Sequence, residues 1–134
     1  MRPPAGLDAA SRALWTLVVG DLRNRGVLRE VDGPAVARYV RAEEVARLAR
    51  ARMTTAAKRG EDPFTTAGSQ GQRVQAPDLR TARDAERDAA AYAADLGLTP
   101  RSRAQHRLGG EPDAGADPFA AHVGDQLAAR RARR

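Results

Sequence analysis

The sequence predicts a mainly α-helical protein: a compact core of about four helices, a small loop or β-hairpin insertion, and a flexible C-terminal tail with a short helix. Three observations carry that prediction. Apolar residues recur at spacings of three and four over long stretches, Gly and Pro recur in the segments between them, and a weak strand signal flanks one polar, Gly-rich turn. A chain of 134 residues holds one small domain with a tail.

"GLDAASRALWTLVVGDLRNRG" reads as the first helix, with Asp8 as N-cap, Leu14, Leu17, Val18 and Leu22 on one face, and Gly26 as the stop. Trp15 lies beside Val18 and Leu22 at helical spacing and is expected to anchor the core. After the link "VLREV", Asp32-Gly33-Pro34 starts a second helix, because Pro is tolerated in a first turn. Its apolar stripe is expected at Val36, Tyr39, Val40, Val45, Leu48 and Ala49, continuing toward Met53 over roughly 20 to 25 residues. Arg38, Arg41, Arg47, Arg50 and Arg52 share its polar face with Glu43 and Glu44.

"PFTT" and "RVQAP" flank the polar turn "AGSQGQ" and suggest a hairpin or an ordered loop. A third helix is predicted from Pro77 and Asp78 to Leu96, with Leu79, Ala82, Glu86, Ala89, Ala93 and Leu96 at helical spacing and Gly97 as its stop. Thr99 then caps a short fourth helix that has Pro100 in its first turn and reads on to Leu108. The core is therefore assigned to residues 1–108. Residues 109–134 are read as a linker and a basic tail, whose Phe119, Val123 and Leu127 form an apolar stripe for docking on a partner.

Composition narrows the function. The formal net charge is +6, which favours a polyanionic partner, nucleic acid first. Lys58 is the single lysine, so the dominance of Arg is read as coding bias rather than a choice of fork geometry. Isoleucine is absent and alanine abundant, a composition that makes a small core and gains from oligomerisation. No cysteine is present, which removes disulfides and thiolate chemistry. No apolar run is long enough to span a membrane, and the expectation is a cytosolic protein with no membrane partner.

Chemistry is not encoded in any recognised pattern. His106 and His122 lie in different segments without metal-ligand spacing, Glu43 and Glu44 are adjacent and point apart, and no phosphate-cradling loop or nucleophile elbow occurs. The expectation is a non-enzyme with no metal and no cofactor.

The order of these segments resembles the small subunit of bacteriophage terminases, in the branch whose core ends in "LGLTPxxR". "LDAASRALWTLVVGDLRNRGVLREVDGPAVARYV" is similar to that family's opening, where a Trp-bearing helix leads into a longer one. "PFTTAGSQGQRVQAPDLRTARDA" is similar to its variable loop, with Gln-Ala-Pro in place of the usual Asn-Pro. Leu96, Gly97, Leu98, Thr99, Pro100, Ser102 and Arg103 match the terminal motif. The resemblance covers about residues 7 to 108. It implies a non-catalytic component of the viral genome-packaging motor in the host cytoplasm. Such a protein binds double-stranded viral DNA as a homo-oligomeric ring and recruits the terminase large subunit, which carries the ATPase and nuclease. Candidate phosphate contacts are Arg23, Arg25, Arg29, Arg38 and Arg41 at the corner of the first two helices, and Arg130, Arg131, Arg133 and Arg134 in the tail. A small helical transcription regulator or nucleoid-like protein, and a purely structural adaptor, remain open alternatives.

Overall fold

A computed structural model describes residues 1–106. Four helices, α1 (Ala9–Asn24), α2 (Gly33–Lys58), α3 (Pro77–Asp95) and α4 (Pro100–His106), enclose one antiparallel hairpin of β1 (Thr65–Ala67) and β2 (Arg73–Gln75). The predicted fold class is the one observed. Leu108, at the expected end of the last helix, and the tail residues Phe119, Val123, Leu127, Arg130, Arg131, Arg133 and Arg134 lie outside the described residues.

The three long helices stop by one device. Gly26, Gly60 and Gly97 each take a left-handed backbone, with φ of 68°, 77° and 66°. The glycine N–H and the one after it then bond back into the last turn: Gly26 to Arg23 O and Val27 to Leu22 O, Gly60 to Ala57 O and Glu61 to Ala56 O, Gly97 to Ala94 O and Leu98 to Ala93 O. This double closure satisfies carbonyls that the helix leaves free and needs a residue without a Cβ penalty at the turn.

At its start, α1 is capped by Asp8, whose Oδ1 accepts from the Ser11 N–H at 2.8 Å. Those backbone and side-chain hydrogen bonds from Ser11, with Arg47 beside the carboxylate, hold the Asp8 carboxyl below its ordinary value of 3.8. A carboxylate with a depressed folded-state pKa stabilises the fold above the unfolded pKa and loses that contribution as pH falls through the folded one. Helicity measured by circular dichroism should therefore hold down to about pH 4 and decline below it. In an Asp8→Asn variant, whose amide still caps but does not titrate, the part of that decline owed to α1 should disappear.

At the second start, Asp32 stands at the N-cap of α2 without a side-chain cap bond; its Oδ2 accepts from the Arg29 N–H at 2.7 Å and closes a single 3-10 turn, Glu30–Asp32, that leads into the helix. Pro34 still occupies the first turn as predicted. α2 is 26 residues long, slightly beyond the expected length.

The core lies where α1 crosses the first half of α2. Leu7, Trp15, Val18, Val19 and Leu22 pack on Val36 and Val40, with Leu96 and Leu98 from the α3–α4 corner closing the edge. α3 runs antiparallel along α2, fixed by Arg52 to Asp78 and Arg50 to Glu86. The buried residues on this second seam are alanines, Ala46 and Ala49 from α2 and Ala82, Ala85 and Ala89 from α3. Such a seam allows close approach of the helices and buries little area per side chain.

Three expected core residues are not in the core: Leu17 is 70% exposed, Val45 43% and Leu48 42%. At 100° per residue, the Val36/Val40 face and the Ala46/Ala49 face of α2 stand roughly a third of a turn apart. One stripe of constant direction therefore misplaces Val45 and Leu48, which belong to neither face. On α1 the buried arc centres on Ser11, Trp15, Val18 and Leu22, and Leu17 points the opposite way.

The hairpin pairs Thr65 with Gln75, Thr66 with Val74 and Ala67 with Arg73. Its neck is held by Asp62, which accepts from the Thr65 hydroxyl and the Phe64 N–H and pairs with Arg73; these contacts lower the Asp62 pKa.

Candidate nucleic-acid interface

Two groups of arginines among the described residues bear on the predicted interface. Arg47, Arg50, Arg52, Arg73, Arg80 and Arg87 each face a carboxylate, and several of those pairs tie one element to another. Ion pairs at such exposed sites contribute little each, but they balance the charge of all but one of the six, since Arg80 and Arg87 share Asp84. Arg23, Arg29, Arg38 and Arg41 are exposed and take part in no ion pair within the described residues; Arg2 shares that status, as do Arg12, Arg59, Arg83 and Arg101 at other points of the surface.

Arg23 comes from the last turn of α1, where a cation opposes the negative end of the helix dipole, and Arg29 from the link that follows. Both line a depression of about 240 Å³ that Met1, Gly26, Leu28 and Glu30 complete. The Met1 sulfur stands 3.6 Å from where a Cβ on Gly33 would sit, which carries Arg2 to the same corner of the molecule. Arg2 is exposed and was missed by sequence reasoning, since nothing in the pattern tied residues 1–6 to the start of α2. Arg38 and Arg41 lie one turn apart on α2, on a face that neither α1 nor α3 covers.

Arg25 does not join them. Its side chain is only 13% exposed and pairs with Asp21 one turn back, and its Nη1 donates to the Gly97 carbonyl at 2.9 Å. The expectation that Arg25 presents its charge outward with its neighbours is corrected by this geometry. It serves as a strap from the end of α1 to the α3–α4 corner.

That corner contains the residues singled out by the terminal motif. Thr99 Oγ1 accepts from the Ser102 N–H at 3.1 Å, and Ser102 Oγ accepts from the Thr99 N–H at 3.2 Å. This is a reciprocal cap in which Ser102 stands where Glu or Gln is more usual. Pro100 fits the first turn, Leu98 packs on the core, and Arg103 Nη1 donates to the Leu98 carbonyl at 2.8 Å. Ser102 is buried. Leu98, Thr99, Pro100, Ser102 and Arg103 together build a closed corner whose polar atoms are spent internally.

Among the described residues, no three His, Cys, Asp or Glu side chains come together as a metal-binding group. No described helix is long and apolar enough to cross a membrane. Of the titratable groups, Tyr39 is shifted upward by partial burial and by Glu43, and it packs at the edge of the core rather than in a cleft.

No curated protein and no solved structure matches the chain. The model of the family described as "Phage terminase, small subunit" matches residues 11–113, from the first turn of α1 through the capped corner and beyond it. With the Trp-bearing first helix, the long second helix, the hairpin and the Thr-Pro corner in that order within the match, the chain belongs to the phage terminase small subunit family.

Proposed function

We propose that this protein is the non-catalytic DNA-recognition and regulatory component of a viral genome-packaging motor, working as a homo-oligomeric ring in the host cytoplasm. It engages double-stranded viral DNA through arginines that contact phosphates, and it recruits the terminase large subunit. The observation that supports this most is the contrast between balanced and unbalanced charge. Arginines on the second half of α2 are neutralised by partners, whereas Arg23, Arg29, Arg38 and Arg41 are left free on the first half and its approach. Free guanidinium groups gain by releasing counterions from a phosphate backbone. The linker and tail, residues 109–134, are assigned to contact with the large subunit or with DNA.

The test is binding of the purified full chain to duplex DNA at two salt concentrations, with the mass in solution measured alongside. Four phosphate contacts give a slope of log K against log salt near −3.6, so affinity should fall on the order of 100-fold between 50 and 200 mM salt. Binding that is absent or independent of salt would sink the DNA-recognition reading. A monomer at micromolar concentration would sink the ring.

A further inference from the structure

Two depressions beside α2 meet at Arg50 and form one trough. The one toward the hairpin, about 320 Å³, is lined by Met53, Thr54, Ala57, Pro63 and Phe64, and Phe64 is 58% exposed in it. The other, about 220 Å³, runs past Arg47 to Glu43 and Glu44, with Ala10 and Leu14 of α1 in its wall. Charge is spread unevenly along the trough. Arg50 is paired with Glu86 and Arg47 with Asp8, so the hairpin end is apolar and without net charge. Glu43 and Glu44 take part in no ion pair among the described residues; Glu44 accepts one long hydrogen bond, from the Asp8 N–H at 3.4 Å. The far end is therefore acidic, in a chain whose net charge is +6.

The tail carries the complementary sequence. At 100° per residue, Phe119, Val123 and Leu127 share one side of a helix, Arg130 and Arg134 continue that side, and Asp125 falls on the far one. Apolar residues come first and cations after. Lengths agree as well: Ala57 to Glu43 is about 21 Å along α2, and Phe119 to Arg134 is about 22 Å along a helix. Reach is sufficient. The described residues end at His106, and the 13 steps from there to Phe119 extend to about 43 Å. α3 and α4, which carry the chain from the hairpin to that point, have 19 and 7 residues and measure about 39 Å even if laid end to end.

We propose that residues 119–134 dock as a helix in the trough of their own chain, antiparallel to α2, with Phe119 against Ala57 and Phe64 and with Arg130 and Arg134 toward Glu43 and Glu44. The order of charge fixes the direction. Reversed, the helix would set its arginines on Phe64 and leave Glu43 and Glu44 unpaired. The contact is autoinhibitory in kind: a docked tail offers neither its apolar stripe nor its arginines to another molecule, so any partner has to compete with the core for them. This inference depends neither on DNA recognition nor on assembly, and its test contains no DNA.

The chain has no cysteine, so a pair introduced into the full protein reports one distance. In the proposed register Thr54 comes beside Val123. Thr54→Cys with Val123→Cys should close a disulfide within one chain under mild oxidation, seen as a faster-migrating monomer on a non-reducing gel. Val45→Cys with Val123→Cys should not, since Val45 is exposed on another side of α2. Thr54 and Val45 are both exposed, so neither cysteine disturbs the fold. Adding Arg130→Glu and Arg134→Glu to the first pair should slow closure on the order of tenfold, because two exposed ion pairs are lost. Glu43→Lys and Glu44→Lys in that same chain should restore the rate. No closed monomer, or equal closure in the two cysteine pairs, overturns the proposal. Disulfide-linked dimers between an untagged chain and one carrying a mass tag place the tail of a neighbouring copy in the trough and overturn it too. Closure at a rate indifferent to the charge reversals overturns the assignment of the arginines to Glu43 and Glu44.

Discussion

Trp15→Ala is expected to remove about 3–5 kcal/mol of stability, the range for deleting a large buried aromatic. The expectation follows from how little else fills the core. Trp15 is 4% exposed, and the buried side chains clustered with it, Leu7, Val18, Val19, Leu22, Val36 and Val40, are all smaller. The α2–α3 seam adds five alanines, each of which removes one methyl group from water. A side chain of Trp's size buries roughly 150–250 Å², worth about 4–6 kcal/mol at 25 cal/mol per Å². Small domains hold about 5–15 kcal/mol in total, so this variant should lose a large share of its stability. At about 4–8 °C per kcal/mol, the midpoint of thermal unfolding should drop on the order of 20 °C. Leu17→Ala, an exposed change on the same helix, should leave the protomer within about 0.5 kcal/mol. Both are compared at one protein concentration, because assembly adds to apparent stability. A Trp15→Ala protein that unfolds within 1 kcal/mol of the unsubstituted chain would show that the core does not depend on this residue.

The contrast between Trp15 and Leu17 also shows what was legible beforehand. Most helix ends were readable because their chemistry is local: Asp8 bonds Ser11, Gly26 and Gly97 take a backbone that other residues avoid, and Thr99 closes on Ser102, whereas the same device at Gly60 was not singled out. The insertion was readable as a hairpin or an ordered loop from Phe64, Thr65, Thr66 and Val74 around a Gly-rich turn, and the structure selects the hairpin. Facing was less so. α2 serves two partners on two sides, and a stripe of one direction has no means of recording that Ala46 and Ala49, rather than Val45 and Leu48, meet α3. Alanine is the source of the error, since it weighs little in any apolar pattern yet is the residue that lets two helices approach closely.

The candidate interface was legible as a set of charges but not as an arrangement. Arg23, Arg25 and Arg29 look alike in sequence, and whether a guanidinium is free depends on what the fold brings to it. Gly97, 72 positions away, decides the matter for Arg25. The same dependence separates Arg38 and Arg41 from Arg47, Arg50 and Arg52 on one helix, because the carboxylates that neutralise the latter come from Asp8, Glu86 and Asp78. Charge counting in one dimension sees five arginines and two glutamates there, whereas the fold leaves two arginines free and spends three.

Replacing Arg38 and Arg41 together by alanine should weaken DNA binding and flatten its salt dependence while leaving the fold intact. Both side chains are exposed and make no ion pair among the described residues, so the midpoint of unfolding should not move measurably. Each lost phosphate contact subtracts about 0.9 from the slope of log K against log salt, or about 1.8 for the pair. At 0.1 M salt that amounts to a loss of about 60-fold per binding unit. Arg25→Ala should do the reverse. It removes the donor to the Gly97 carbonyl and the partner of Asp21, at a cost of about 1–3 kcal/mol, but it takes no free charge from the surface. Its unfolding midpoint should fall while its salt slope stays that of the unsubstituted chain. Substituting Arg50 and Arg52 controls for mere loss of positive charge, since both are already balanced by α3 carboxylates and their removal should change the slope far less. If all three substitutions flatten the slope equally, DNA responds to net charge alone and no interface exists at Arg38 and Arg41. If Arg25→Ala flattens it most, the strap from α1 to the corner opens on binding and Arg25 is a contact after all.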